Sequence, residues 1–366
     1  MSNPANIKDG ANYSPEGRVK KVVKDGQFVF SVAYIDHGHI YAQTSGLLLA
    51  GASLKYVYDP DTKRLNDFCA KFPQVQAVSS FEQILQDSDT RLVASAAIPN
   101  LRADIGIQVM RAGKDYFTDK SPFTALEQLA RVRHVVKETQ QKYLVYYAER
   151  LHNEAALEAG ELIKAGVIGR VLQVISLAPH RLAKANRPDW FFQKQAYGGI
   201  LTDIASHQVE QFLFYTGAQD ASINFASARN LNNPDKPELE DFGEASMTGD
   251  NGASFYTRVD WFTPNGQATW GDGRTFIMGT KGTIECRKYN DIARQAPASK
   301  LFLTTSETEQ EIDCSNKSGF PFFGELILDC LNRTDKAMTQ AHIFKAAELS
   351  MQAQAMADLN TTPHVL

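Results

Sequence analysis

The chain has 366 residues, 43% of them hydrophobic and 22% charged, with a formal net charge of -4, an ordinary balance for a globular protein about two domains long. The slight acidic excess and the lack of a Lys/Arg cluster argue against a nucleic-acid partner, and no segment approaches the roughly 20 apolar residues of a membrane span. Four cysteines, Cys69, Cys286, Cys314 and Cys330, show no C-x-x-C spacing, which predicts reduced thiols in a cytoplasmic protein rather than a zinc site or a disulfide frame.

The first 28 residues are polar, with Gly10, Pro15, Gly17 and Gly26, and read as an extension outside the core. Their lack of an apolar run predicts neither a secretory signal nor an anchor. From there strands and helices alternate. "FVFSVAYI" is a strand, "IYAQTSGLLLAG" a helix closed by Gly51, "LKYVYD" a strand and "TKRLNDFCAKF" a helix. The strand "RLVASAAI" follows, then a helix through "IGIQVMRAGK", the strand "DYFTD", a helix opened by a Thr124/Glu127 capping box, and the strand "YLVYYAE". This alternation predicts βαβ units and a parallel sheet over 29–149.

Beyond residue 150 the pattern changes. A helix with "EAALEAGELIKAG" precedes the strand "VLQVISLA". Strand-like runs then recur near 222–229, 242–248, 253–262, 274–278, 282–287 and 300–304 without intervening helices. They predict an α+β second domain, 150–366, on a large, open, mostly antiparallel sheet. Helices within 320–333 and 340–358 close the chain. The expected fold class is α/β, with two domains.

The turn after the first strand, Asp36-His37-Gly38-His39, admits two readings. Two histidines beside a carboxylate could begin a hydrolase metal site, but such a site needs further ligands at the ends of later strands of an eight-unit barrel. Only about five βα units are visible, and most other histidines fall in helices or tails. The alternative is the turn of a dinucleotide-binding unit, which requires an acidic residue about 20 positions on; Asp59 supplies it. Aligned to G-x-G-x-x-G, the chain offers Asp36, Gly38 and Tyr41, so only the central glycine remains. No metal is expected.

Blocks spread along the chain sharpen this. "GASLKYVYDPD", "AAIPNLRADIGIQVMRAGKDYFTDKSP", "AGVIGRVLQV", "YGGILTDIASHQVEQFL", "WFTPNGQATWGDGRTFIMGTKGTIE" and "FKAAELSMQAQAMA" resemble, in order and spacing, the glucose–fructose oxidoreductase / inositol dehydrogenase (Gfo/Idh/MocA) family. The resemblance runs from about residue 29 to about 358. It implies an N-terminal Rossmann domain, a C-terminal domain with an open mixed sheet, NAD or less readily NADP, and hydride transfer at a hydroxyl or keto carbon of a sugar, polyol or related small molecule.

"TDKSP" stands where the family has Glu-Lys-Pro, which places Lys120 at the family's lysine, with Asp119 for Glu and Ser121 for Pro. Gly198, Gly199, Asp203 and His207 match the Gly-Gly and Asp-x-x-x-His signature. The resemblance implies catalysis by Lys120, Asp203 and His207. It implies cofactor contacts from Asp36, His37, Gly38, His39 and Ile40 in the turn, and from Asp59, Pro99, Asn100, Lys120 and Arg150. The departures are Asp36 and Tyr41 in the phosphate loop. A homo-oligomer, dimer or tetramer, through the open face of the C-terminal sheet is implied as well.

These residue types suit the chemistry. Oxidising an alcohol releases a hydride and a proton, and a histidine is a suitable base for the proton. Asp203 and His207, four apart, share a face on a helix. Lys120 ends a parallel strand, at the sheet edge where open α/β folds bind ligands, and its ammonium can stabilise charge on the reacting oxygen. Substrate contacts are expected from Lys120, His180, Trp190, Tyr197, Asp203 and His207, with Arg181 or Arg187 available for an anionic group. The competing reading is a dinucleotide-binding regulator without catalysis, supported by the altered glycine loop.

Overall fold

Each apolar run of the N-terminal half becomes a short buried strand, and each amphipathic run a covering helix. The computed structural model describes residues 19–291, 296–297 and 299–360; residues 1–18 of the expected extension lie outside them. The chain divides into two units, one of residues 19–146 with 319–344, the other of residues 147–318 with 345 onward.

The first unit runs β1 (Val29–Ala33), α1 (His39–Leu49), β2 (Ser53–Tyr58), α2 (Thr62–Lys71), β3 (Gln76–Ala77), α3 (Phe81–Gln86), β4 (Leu92–Ser95), α4 (Arg102–Arg111), β5 (Asp115–Asp119), α5 (Leu126–Thr139) and β6 (Tyr143–Tyr146). The sheet order is β3-β2-β1-β4-β5-β6, and every pairing is parallel. The Rossmann fold has this order, and its ligand crevice opens where the order reverses, between β1 and β4. Strands β4, β5 and β6 are buried along their whole length, as sheets covered on both faces require.

Two local expectations shift. The capping box at α5 uses Gln128 rather than Glu127: Gln128 Oε1 accepts the Thr124 amide at 2.8 Å. The expected extension also ends earlier. Val23 and Phe28 are buried, and the Val22 amide bonds the Ala50 carbonyl at 2.9 Å, so residues 19–28 are part of this unit. The unit also takes in α11 (Phe322–Asn332), although the expected boundary left everything beyond 150 to the second domain. Phe323 fills the space beside Gly46 of α1, and Arg333 donates to Asp115 at 2.7 Å.

The second unit contains α6 (Ala148–Leu151), α7 (Glu154–Lys164), β7 (Val171–Pro179), α8 (Lys194–Tyr197), α9 (Ile200–Asp203), α10 (Ala205–Thr216), β8 (Ala221–Arg229), β9 (Phe242–Gly249), β10 (Ser254–Asp260), β11 (Arg274–Gly279), β12 (Gly282–Arg287), β13 (Asn290–Asp291), β14 (Ala296–Pro297), β15 (Lys300–Thr305) and β16 (Glu309–Asp313), with most of α12 (Gln340–Asn360). Its eight-stranded sheet has the order β16-β15-β12-β11-β7-β10-β9-β8. Only β7 and β10 pair in parallel; the other pairings are antiparallel. The α10 helix packs on β7 and β10. On the other face, cross-strand partners Phe225, Ser246, Tyr256, Ile175, Phe276, Glu285 and Phe302 line up in one row, and Phe225, Phe276 and Met278 are exposed. The sheet is open on that side.

Candidate active-site groups in the two units

At the rim of the first sheet, the turn after β1 is held by backbone bonds to its neighbours. The Ala96 amide donates to the Tyr34 carbonyl at 3.1 Å and the His37 amide to the Ala96 carbonyl at 2.9 Å. Tyr34, not Asp36, takes the left-handed conformation, φ 56°. Its ring stays edge-on against Tyr58 and Phe81, and this packing supports a conformation that bulky residues seldom adopt. Gly38 caps α1, with no side-chain cap bond, and a Cβ there would meet nothing within 4 Å. The glycine faces open space at a helix N-terminus, the geometry that receives a pyrophosphate. Ile40 is buried. Tyr41, in place of the third glycine, stacks near Phe68 and Phe72, so it spaces helix against helix rather than lining the turn.

Asp36 is compensated from outside its own turn: Arg64 of α2 lies 3.1 Å from the carboxylate, which also accepts the Ile98 amide. Burial still raises the Asp36 carboxyl above its ordinary value, Arg64 opposing. Arg64 also binds Asp59 at 2.8 Å. Asp59 accepts the Ile35 and Asp61 amides as well, and its side chain is fully covered. Both Asp59 oxygens are thus engaged inside the unit, and the group presented at the end of β2 is Arg64.

His37 and His39 converge on Asp119. His39 Nδ1 lies 2.8 Å and His37 Nδ1 3.9 Å from the same carboxylate oxygen, and the three ligand atoms lie within 4.8 Å of one another. The His39 amide donates to His37 Nδ1 at 3.2 Å. Desolvation lowers His37 well below its ordinary value; His39, Arg102 and Lys120 add to this, and Asp119 opposes it. Burial would raise Asp119, but His39, Arg102 and His37 outweigh it and hold the carboxyl well below the carboxylate range. A cation could be ligated here, yet Arg102 lies 3.6 Å from the same oxygen and a helix N-terminus adjoins it, so the field favours an anion.

Arg102 is the residue that sequence reasoning missed. Its guanidinium donates to the carbonyls of Ala97 at 2.7 Å, Asp119 at 3.2 Å and Ser121 at 3.0 Å, and to that of Lys120. It bolts the loop after β4, with Pro99 and Asn100, to the turn that carries Lys120. A cation in the first turn of a helix opposes the dipole, and that anomaly at the start of α4 was the available signal. Lys120 itself is buried at the end of β5.

In the second unit, Gly198 and Gly199 both have positive φ, 88° and 89°, and a Cβ on Gly199 would lie 2.2 Å from Gln354. The Gly-Gly pair is therefore the entry to α9 and α10. Asp203 ends α9 and His207 lies in the first turn of α10; both are buried. Asp203 is not a cap: α10 starts after Ile204 without a side-chain cap bond. Arg150, expected at the cofactor, grips Glu210 with Nε, at 2.8 and 2.9 Å from its two oxygens, and with the adjacent NH2, and stacks on Phe214 at 3.8 Å. The Tyr197 hydroxyl, expected at the substrate, donates to the Glu238 carbonyl at 3.0 Å and accepts the Glu240 amide at 2.9 Å. Arg181 clamps the carbonyls of Pro264, Gln267 and Thr269, and Arg187 lies over Phe191. These four side chains hold loops and helices. Trp190 is half-buried against Phe191, and His180 packs on Trp270 with ring centroids 4.1 Å apart.

Residues 33–147 match the model of the oxidoreductase family with the NAD-binding Rossmann fold, and residues 156–285 match the GFO/IDH/MocA C-terminal domain. A crystal structure from Erwinia carotovora atroseptica SCRI1043, of a protein named only as an oxidoreductase, is 45% identical, covers 90% of this chain and 99% of its own, and superposes with a TM-score of 0.88. Levoglucosan dehydrogenase, in complex with NADH and levoglucosan, shares the fold at 17% identity, with a TM-score of 0.75 over 91% of this chain and 98% of its own. The D-xylose dehydrogenase of Paenarthrobacter nicotinovorans is 22% identical over 149 residues, 39% of this chain and 38% of its own length. An oxidoreductase of Schizosaccharomyces pombe is 27% identical over 40% of each chain. The match thus spans about two fifths of these curated relatives. The chain belongs to the Gfo/Idh/MocA family of NAD-binding oxidoreductases.

Proposed function

We propose that the protein is an NAD(P)-dependent dehydrogenase acting on a CH–OH group of a sugar, polyol or related small molecule. The observation that carries the reading is the rim of the first sheet. There a glycine-capped helix start opens to free space, and Lys120 follows β5, two strands along the sheet, with Arg102 holding its turn. The set fits a dinucleotide: open room for the pyrophosphate at Gly38, and positive charge from Arg102 and Lys120. Bound there, the nicotinamide supplies the hydride acceptor.

This chain's residues would do the rest. His207 takes the hydroxyl proton as general base, Asp203 one turn before it orients the ring, and the Lys120 ammonium stabilises negative charge on the reacting oxygen. A carbohydrate class is supported by relatives whose names specify D-xylose and levoglucosan. NAD is the preferred cofactor in this reading, with Arg64 leaving room for NADP. The exposed row around Phe276 on the open sheet face supports a homo-oligomer, which light scattering reads directly.

A panel of sugars, polyols and sugar acids with NAD and NADP, followed by absorbance of the reduced cofactor, tests the proposal. Turnover of one class with loss on Lys120→Ala is the expected result. NADH binding without turnover across the panel would favour the regulator instead.

A further inference from the structure

The short helix that ends in Asp203 has no cap of its own. Its entry residue, Gly199, carries no side chain and makes no side-chain cap bond. A helix leaves its first amides without partners in its own backbone, and a helix of four residues has little stability by itself. Two side chains from far along the chain meet those amides. Glu240 Oε2 accepts the Ile200 amide at 2.8 Å, and Gln354 Oε1 of α12 accepts the Leu201 amide at 2.9 Å.

The two caps are also tied to each other. Gln354 Nε2 lies 3.1 Å from each Glu240 oxygen and donates to Asp358 at 2.8 Å. Lys194 Nζ bridges Glu240 and Asp358, 2.6 Å from each. Glu240 and Gln354 are buried, where a polar group that loses its partners is costly, so each is held to this arrangement. The backbone leaves room for them. Gly199 has φ 89°, and a Cβ on it would stand 2.2 Å from Gln354. A Cβ on Gly243 of β9 would stand 2.6 Å from Ile200. The start of α9 is thus pressed against β9 on one side and Gln354 on another.

From this start the backbone runs directly to the groups assigned to proton transfer. The Asp203 amide donates to the Gly199 carbonyl and the Ile204 amide to the Ile200 carbonyl, both at 2.9 Å, and the His207 amide donates to the Ile204 carbonyl at 3.1 Å. Ser206 Oγ donates to the Asp203 carbonyl at 2.9 Å. A shift of the helix start therefore carries Asp203 and His207 with it. We propose that Gln354 and Glu240 are positioning residues for the reaction, a clamp that fixes the start of α9 and through it the placement of Asp203 and His207. The inference rests on the roles given to those two residues under the proposed function. Catalytic groups need placement to within about 0.5 Å, and a shift of about 1 Å caused from a distance can lower the rate by about 100-fold. A clamp that served stability alone would change unfolding and leave turnover per folded molecule as it was.

The test compares wild type with Gln354→Met, which keeps the side-chain length and removes both acceptor and donor, and with Glu240→Met and Glu240→Gln. Under conditions where circular dichroism shows each protein folded, the two Met variants are expected to lower kcat by about 10–100-fold. NADH affinity should stay at the wild-type value, since the open helix start at Gly38 belongs to the first unit. Glu240→Gln keeps an acceptor for the Ile200 amide and should retain most of kcat. Hydrogen exchange of the free protein, read by mass spectrometry, should be faster over 200–207 in the Met variants. Wild-type kcat in folded Gln354→Met overturns the inference, as does a loss in Glu240→Gln equal to that in Glu240→Met, or unchanged exchange over 200–207. If Gln354→Met does not fold, Gln354→Asn, one methylene too short for the Leu201 amide, replaces it with the same outcomes. The exchange arm needs no turnover, so a wild type inactive across the substrate panel, with faster exchange in the variants, would sink the dehydrogenase reading and leave the clamp on α9 standing.

Discussion

The two units hold their buried carboxylates differently. In the first, the cation stands at the rim of the sheet: Arg64 is 35% exposed, its partner Asp59 0%. In the second both partners are interior, with Arg150 at 6% against Glu210 at 0%, and Lys288 at 1% against Glu149 at 4%. Rim charges are weakly held and can exchange a neighbour for a ligand. Interior charges are locked to one partner, because losing it leaves a desolvated ion. The contrast separates groups that can meet a dinucleotide from groups that can only support one.

The largest effects should come from the residues assigned to chemistry. His207→Ala and Lys120→Ala are each expected to lower kcat by about 10²–10⁴-fold, the usual worth of general acid–base help, with NADH affinity nearly intact in His207→Ala and weakened in Lys120→Ala in a fluorescence titration. Near wild-type kcat in either variant would remove that residue from the mechanism.

Next comes the interior pair. Arg150→Met strands Glu210 without its partner and should cost about 3–5 kcal/mol, read as a lowered urea midpoint. The same substitution at Arg64, which leaves Asp59 its two backbone donors, should lower the midpoint by clearly less. Equal losses at both positions would erase the distinction between rim and interior.

A pH series sharpens the contrast. Burial lowers His152 to about 4. A folded-state value depressed below the unfolded one means that the unfolded chain binds more protons between them. Stability is therefore full above about pH 6.5 and falls as pH drops toward 4, by about 2–3 kcal/mol in total. Urea unfolding at pH 7.5 and pH 5 should show the loss in wild type and a flatter response in His152→Gln. An equal slope in both would place the acid sensitivity elsewhere.

Cofactor choice tests the rim itself. With Asp59 engaged inward and Arg64 presented, discrimination between NADH and NADPH should be modest, and Arg64→Ala should weaken NADPH by about tenfold, the worth of a charge-assisted contact, while NADH changes little. Equal weakening of both would show that Arg64 holds the turn rather than a 2′-phosphate.

How much of this the sequence carries depends on range. The strands and helices were legible because their periodicity is local, down to the run of β8 to β12. Elements lacking an apolar pattern were not: Gln76–Ala77 of β3 is exposed, and "EQEID" of β16 is a polar edge strand, as edges that avoid pairing tend to be. The proposed site residues come from the family motifs. Their partners do not, because Arg64 with Asp36, Arg102 with Asp119 and Glu149 with Lys288 are brought together only by the fold.

Asp36 is where that missing information changes a prediction. From the sequence alone, a carboxylate about 6 Å from a pyrophosphate repels it by roughly 3 kcal/mol at an effective dielectric near 20 before any compensation, and Asp36→Gly should tighten NADH binding. In the structure Arg64 lies 3.1 Å from that carboxylate, so most of the field is cancelled at its source. What remains is comparable to an imperfectly paired rim charge, about 0.5–1 kcal/mol, and the glycine variant should bind NADH only about threefold more tightly. The gain should shrink at high salt, as screening removes a repulsion between exposed charges. Pairing with Arg64→Ala isolates the cause: in that background Asp36 is uncompensated, and Asp36→Gly should then tighten NADH by clearly more than threefold. Titrating NADH fluorescence across the four proteins completes the cycle. An equal gain with and without Arg64 would show that the arginine does not shield the turn, and weaker binding by Asp36→Gly would make Asp36 a cofactor contact in its own right.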